Sequence, residues 1–216
     1  MYLIKTPYLI KKITGKSVIW DFPKGDKRLF LTFDDGPIPE LTPQILKILD
    51  NFEVKASFFC VGENVFKYPD LFNEIIKRGH SIGNHTFNHL NGWKTNNDEY
   101  LANINKANVL IQSELFRPPY GKVRISQLNE IKKQYFTVLW SVLSGDFDIN
   151  LSKEECLQNV KENTTDGAII VFHDNIKSSE RVLYTLPLFI EHFINKGFKF
   201  EAISEKIISE YRKSTE

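Results

Sequence analysis

The sequence predicts an α/β fold whose parallel strands close toward a barrel, and three observations carry that expectation. Apolar, β-prone runs alternate with helix-like segments along the chain, the pattern of strands joined by crossover helices. The seven strand candidates are all short, which suggests a barrel. The polar clusters stand where the runs end, and a parallel barrel carries its active-site loops at its strand ends.

In order, strands are expected over residues 28–33, 55–60 and 81–82, at Phe116, and over 137–141, 168–172 and 198–202. Helices are expected between them. Pro43, near a first turn, marks a helix over 42–51, and Gly79 stops one over 70–78. Further helical patterns run over 98–114, 125–134, 153–163 and 180–195. No repeat or low-complexity linker divides the chain. Residues 28–216 therefore read as a single domain and residues 1–27 as an N-terminal extension.

Composition narrows the function classes. A chain of 216 residues buries about 70% of its unfolded surface, so its core needs no staples. Hydrophobic residues at 42% and charged residues at 25% exclude a disordered chain. With 28 basic against 27 acidic side chains, the net charge of +1 implies no basic stripe, and no nucleic-acid partner is expected. Cys60 and Cys156 lie far apart without a C-x-x-C spacing and read as two buried thiols. No apolar run approaches about 18 residues, so no transmembrane segment is expected. Pro7 and Lys5, Lys11, Lys12 and Lys16 interrupt the apolar stretches at the start, which leaves no signal-peptide core and a cytoplasmic protein as the default expectation. These lysines read as a solvated face.

The chemistry concentrates at strand ends. Thr32 to Pro37, reading Thr-Phe-Asp-Asp-Gly-Pro, sets two carboxylates side by side after an apolar strand. Like charges that close push one pKa upward unless a cation or metal neutralises them. A turn through Gly36 and Pro37 lets Asp34 and Asp35 face one centre, although Asp-Asp-Gly-Pro is also an ordinary turn. Three of the five histidines then fall within residues 80–89. His85 and His89 stand four apart, so a helical turn would set both imidazoles on one face. With one aspartate they make a three-ligand metal set that leaves a fourth position for water. His80 reads as a structural histidine at a strand start.

Later strand ends add further groups. The prolines of Arg117-Pro118-Pro119-Tyr120-Gly121 hold an extended, rigid loop from which Arg117 can pair with a carboxylate. Another strand ends between Trp140 and Asp148 in small and acidic residues. The run ending at Phe172 is followed by His173, the side chain whose ordinary pKa suits proton transfer near neutrality.

Taken together and in order, these motifs resemble the NodB-homology polysaccharide deacetylases of carbohydrate esterase family four, from about Arg28 to about Ala202. That family carries T-F-D-D-G-P, H-[ST]-x-x-H, R-x-x-Y, D-x-x-D-W and L-x-H. The chain shows Thr32 to Pro37, His85 to His89, Arg117 to Tyr120 and Val171 to His173, while Leu143 and Phe147 replace the first aspartate and the tryptophan of the fourth motif. The resemblance implies a distorted barrel of about seven β/α units. It also implies a metal-dependent hydrolase that removes N-acetyl groups from N-acetylglucosamine-type units of a glycan and releases acetate.

Residue by residue, the resemblance implies that Asp35, His85 and His89 bind the metal. The ion is usually zinc, and a His2Asp site also accepts cobalt, nickel or manganese. Asp34 matches the catalytic base, Arg117 the side chain that holds it, and His173 the general acid. Asp146 matches the residue that tunes His173, with Asp148 as the alternative if the register differs. The Tyr120 position supplies an oxyanion N–H. Tyr120, Pro119, Trp140 and Val171 are the expected substrate contacts, with Val171 as the wall beside the acyl methyl and Trp140 serving equally as a core ring. The expected partner is an N-acetylated oligo- or polysaccharide such as peptidoglycan or a chitin oligomer; oligomeric state is open. Two other readings stand beside this one. A deformylase or other amidase acting on a lipid-linked amino sugar would suit the basic start. An inactive glycan-binding protein is opposed by the full set of ligand, base and acid residues.

Overall fold

A computed structural model describes residues 2–215 of the chain. In chain order the elements are α1 (Tyr8–Thr14), β1 (Val18–Ile19), β2 (Arg28–Asp34), α2 (Thr42–Asn51), β3 (Ser57–Cys60), α3 (Gly62–Lys67), α4 (Pro69–Lys77), β4 (Ser81–Asn84), α5 (Asn97–Ile111), β5 (Leu115–Phe116), α6 (Ile125–Ile131), β6 (Phe136–Val138), β7 (Val142–Leu143), α7 (Lys153–Asn163), β8 (Ile169–His173), α8 (Ser179–Asn195), β9 (Lys199–Phe200) and α9 (Glu205–Thr215). The strands pair in parallel in the order β1-β6-β5-β4-β3-β2-β8-β7, with β9 beside the start of β2. All seven expected strands are in this curled, half-barrel sheet.

The curl gives each strand an inner and an outer face, because successive side chains alternate. On β2, Leu29, Leu31 and Phe33 point outward to Ile45 and Leu49 of α2 and Leu186 and Phe189 of α8. Phe30 points inward to Phe59, Val138 and Ile169, where Ile207 and Ile208 of α9 close the floor. Toward the strand ends the inner side chains turn polar, from Phe30 through Thr32 to Asp34 and from Ile169 through Val171 to His173. The β2–β8 register sets Asp34 directly opposite His173. Polarity at the mouth and apolarity at the floor are thus written along single strands.

The curl does not close by strand pairing, and β1 and β7 form its two edges. Residues 4–6 and 18–19, within the stretch that the sequence reading set apart as an extension, cover the two edges. Strand β1 lies on β6 with Val18 and Ile19 buried. The Leu143 N–H donates to the Ile4 carbonyl at 2.8 Å and the Thr6 N–H to the Ser141 carbonyl at 3.0 Å, which lays residues 4–6 along β7. An uncovered edge would present unpaired backbone groups to other chains. Two-residue strands carry no periodicity, which is why the pattern misses both β1 and β7. Cys60 and Cys156 are buried and unpaired, as the spacing predicts. Among the described residues no helix is long and apolar enough to cross a membrane.

Candidate active site

The ends of β2, β4, β5 and β8 meet at the mouth, and the backbone there is unusual. Asp35, Thr86, His89 and Tyr120 all have positive φ, at 83°, 65°, 59° and 62°. Such conformations are uncommon outside glycine and persist where the surroundings over-determine them. The spacing of His85 and His89 predicts a helical turn; the structure has a loop. The Asn84 side-chain oxygen accepts from the Thr86 N–H at 2.8 Å, and the Thr86 hydroxyl accepts from the Leu90 N–H at 3.1 Å. These side-chain bonds stand in for a helical ladder. The two imidazoles still meet, with ring centroids 5.1 Å apart.

Asp35, His85 and His89 each offer one ligand atom, all within 4.8 Å of one another. The His89 Nε2 lies 3.1 Å and the His85 Nε2 3.7 Å from the Asp35 Oδ1. A tetrahedral ion with bonds of about 2.0–2.1 Å sets its ligands roughly 3.3 Å apart. The Asp35 Oδ1 is buried without a hydrogen-bond partner, the expected state of a carboxylate oxygen reserved for a cation. The His85 Nδ1 donates to the Arg117 carbonyl at 2.8 Å, which leaves the Nε2 lone pair facing Asp35. Burial pushes the His85 imidazole down to about 4, so it stands neutral, as a ligand must. Burial works to raise the Asp35 carboxyl, but the His89 imidazole beside it and the charge of His173 outweigh it and hold it well below the usual range. The donor set fits a divalent metal ion.

Asp34, 3% exposed, flanks this set. Its Oδ1 accepts from the Arg117 Nη1 at 2.7 Å, and its Oδ2 lies 4.0 Å from the His85 Nε2. The buried Arg117 also donates to the Thr32 hydroxyl and to the Val138 and Leu139 carbonyls, while its guanidinium lies 4.0 Å from the Phe59 ring. On the other flank the His173 Nδ1 meets the Asp146 Oδ1 at 2.7 Å, and the His173 N–H donates to the Asp146 Oδ2 at 2.6 Å. Asp148 instead accepts from the Tyr2 hydroxyl at 2.9 Å, so Asp146 is the aspartate in contact with His173.

The expected substrate contacts divide. Tyr120 is exposed, and its hydroxyl lies 3.1 Å from the His89 Nδ1. Pro119 is buried in the turn beneath it, and Val171 lies wholly buried on the inner face below His173, presenting no surface here. Trp140 is half-buried among the inner apolar residues, against Gly121. Phe147 stands 5.1 Å from the His173 ring. His80 belongs to no ligand cluster, and its Nδ1 accepts from the Ala56 N–H at 3.2 Å.

Three supporting residues escape the motif reading. Asn175 donates from its Nδ2 to the Asp35 Oδ2 at 2.6 Å, while its Oδ1 accepts from the Ser178 N–H and hydroxyl, which fixes which way the amide faces. Asp174 is buried against Gly36, where a Cβ would lie 2.2 Å from its Oδ2, and burial pushes its carboxyl up to about 8. Arg181 donates from its Nε to the Asp146 carbonyl at 2.6 Å. Adjacency to His173 is the one sequence signal that could have found Asp174 and Asn175; nothing local marks Arg181.

The chain is similar to known proteins in sequence and in fold. The polysaccharide deacetylase family profile matches residues 21–139. A peptidoglycan-N-acetylglucosamine deacetylase of Bacillus cereus is 32% identical over 87% of this chain and 92% of its own length. A chitooligosaccharide deacetylase of Azorhizobium caulinodans is 31% identical over 72% of this chain and 78% of its own. Among solved structures, a peptidoglycan N-acetylglucosamine deacetylase in complex with an N-oxidanyl-benzamide has a TM-score of 0.84 at 33% identity, covering 92% of this chain and 95% of that one. With a family match over more than half its length, relatives above 30% identity and the fold in common, the chain belongs to the polysaccharide deacetylase family.

Proposed function

We propose that the protein is a zinc-dependent N-deacetylase that cleaves the acetamide of N-acetylglucosamine units in a glycan and releases acetate. The observation that carries this reading is one centre in which the unpartnered Asp35 Oδ1 faces two histidines, with Asp34 on one side and His173 on the other. When bound there, a divalent ion polarises the acyl carbonyl and lowers the pKa of a water it holds toward about 7.

The protein's own groups do the rest. Asp34, held through Oδ1 by Arg117, keeps Oδ2 for the proton of the attacking water. Negative charge then develops on the carbonyl oxygen. The Tyr120 N–H, engaged by no backbone partner within its turn among the described residues, is a donor for that oxygen, a role worth about 3 kcal/mol. His173 delivers the proton that the departing amine needs. Burial would strip that proton, but the charge and hydrogen bond of Asp146, with Asp35 and Asp34, outweigh it and raise the imidazole to about 9. Acid and base thus face each other from neighbouring strands.

Acetate release from N-acetylglucosamine oligomers and peptidoglycan, measured on metal-stripped protein before and after zinc addition, tests the reading. Zinc-restored release is the expected result. Release of formate instead, or no release from zinc-loaded protein, would overturn it.

A further inference from the structure

The mouth continues past Tyr120 into a surface that the hydrolytic groups do not use. Trp93 is 58% exposed and Tyr120 59%. The Lys122 ammonium lies within reach of both rings, 5.4 Å from the Trp93 centroid and 6.0 Å from that of Tyr120. The Tyr120 ring in turn stands 4.6 Å from the His89 ring. His89, Tyr120, Lys122 and Trp93 therefore form a continuous strip leading outward from the metal-ligand set.

A single exposed apolar side chain needs no explanation. This one differs because it is held in place. The Trp93 indole N–H donates to the Val123 carbonyl at 3.2 Å, its backbone N–H donates to the Asn91 Oδ1 at 3.0 Å, and its carbonyl accepts from the Arg124 Nη2 at 2.8 Å. Beneath it, the buried Gln127 donates to the Gly92 and Thr95 carbonyls. Gly92 packs so closely that a Cβ would lie 2.5 Å from the Lys122 carbonyl. The ring is consequently ordered by folding, and a ligand stacked on it would not have to immobilise it. Among the described residues the Lys122 ammonium meets these two rings and enters no ion pair.

We propose that Trp93, Lys122 and the Tyr120 ring form a subsite for a neighbouring sugar that carries a carboxylate. A rigid exposed aromatic face receives the C–H face of a sugar, and an ammonium without a partner receives an anionic substituent. The preferred substrate is then a glycan in which N-acetylglucosamine alternates with a sugar bearing a free carboxylate, as in peptidoglycan strands without stem peptides, over a neutral chitin-type oligomer. This inference rests on the deacetylase reading for the place where the cleaved unit sits.

The test compares kcat/KM on two tetrasaccharides, neutral chitotetraose and a peptidoglycan-derived one with free lactyl carboxylates, using zinc-loaded wild type and variants. Trp93→Ala is expected to raise KM for both by up to about tenfold, with Trp93→Phe recovering part of the loss. Lys122→Gln is expected to lower the carboxylate-over-neutral ratio by about threefold to fivefold, and Lys122→Arg to restore it. That ratio should also fall as salt is raised. An unaltered ratio in Lys122→Gln, or an unaltered KM in Trp93→Ala, overturns the subsite. If wild type cleaves neither substrate, the deacetylase reading fails instead. Calorimetric binding of the same two oligosaccharides to the same zinc-loaded proteins then decides the subsite by the same ratio.

Discussion

Two buried histidines bracket strand β4, His80 just before it and His85 just after it, and burial depresses both imidazoles to about 4. Their surroundings differ in which nitrogen the protein occupies. His80 uses Nδ1 to accept from the Ala56 N–H, and its Nε2 meets no carboxylate. His85 spends Nδ1 on the Arg117 carbonyl and turns Nε2 toward Asp35 and Asp34. Burial and a lowered pKa are therefore common to a packing histidine and a candidate metal ligand. A carboxylate opposite the free nitrogen, at the strand's C-terminal end, is what separates them.

The sharpest way to break that comparison is to remove each imidazole. His85→Ala is expected to lose bound metal and all acetate release, read by elemental analysis and by acetate assay on the same sample. Loss of metal from His80→Ala would erase the distinction. Next in size, Asp34→Asn should keep its metal and lose about 10²- to 10⁴-fold in kcat, because the base is outside the ligand set. Metal-free Asp34→Asn protein would instead make Asp34 a ligand.

The acid side of the site offers a pH test. The folded His173 value of about 9 lies above its ordinary 6.5. Its protonated form therefore contributes stability fully below pH 6.5 and loses it as the pH rises through about 9. Activity should follow, with an alkaline limb at or below pH of about 9, since a bound cation offsets the contribution of Asp35. Asp146→Ala is expected to move that limb down and lower kcat, whereas Asp148→Ala, which touches Tyr2, should move neither. The reverse outcome would reassign the tuning aspartate.

Smaller effects refine the picture. Asn175→Ser keeps an acceptor for the turn that follows but cannot reach the Asp35 Oδ2, and metal affinity is expected to fall about 10- to 100-fold in a competition titration. Unchanged affinity would show that Asp35 needs no such tie. The smallest effect belongs to His80→Ala. It should lower the melting temperature, leaving kcat per folded molecule and metal content as in wild type.

Much of this was legible in the sequence, and for a definite reason. The apolar runs over residues 28–33 and 168–172 mark strands because both faces of the strands they form, Arg28–Asp34 and Ile169–His173, are buried along nearly their whole length. The helix over Lys153–Asn163 is bounded by a reciprocal cap between Ser152 and Glu155, a signal contained within four residues. Asp35, His85, His89, Asp34 and His173 stood out by type, spacing and position at strand ends. Elements shorter than a period, such as β1, β7 and the six-residue α3, left no pattern to read. Four-residue histidine spacing suggested a helix because the side-chain bonds of Asn84 and Thr86 that bend the loop are invisible to a periodicity count.

By itself, the sequence determined the alternation of strands and helices, the order of the motifs and the kinds of side chain that gather at the mouth. These follow from local propensity and patterning, which act over a few residues. Only the tertiary structure decided that Asp146 holds His173, that Arg117 holds Asp34 and that Asn175 ties Asp35, contacts between residues 27, 83 and 140 positions apart. It likewise decided that residues 4–6 and 18–19 cover the sheet's open edges. Such pairings depend on how the strands curl and which ends they bring together, and no local preference encodes a distance across the mouth.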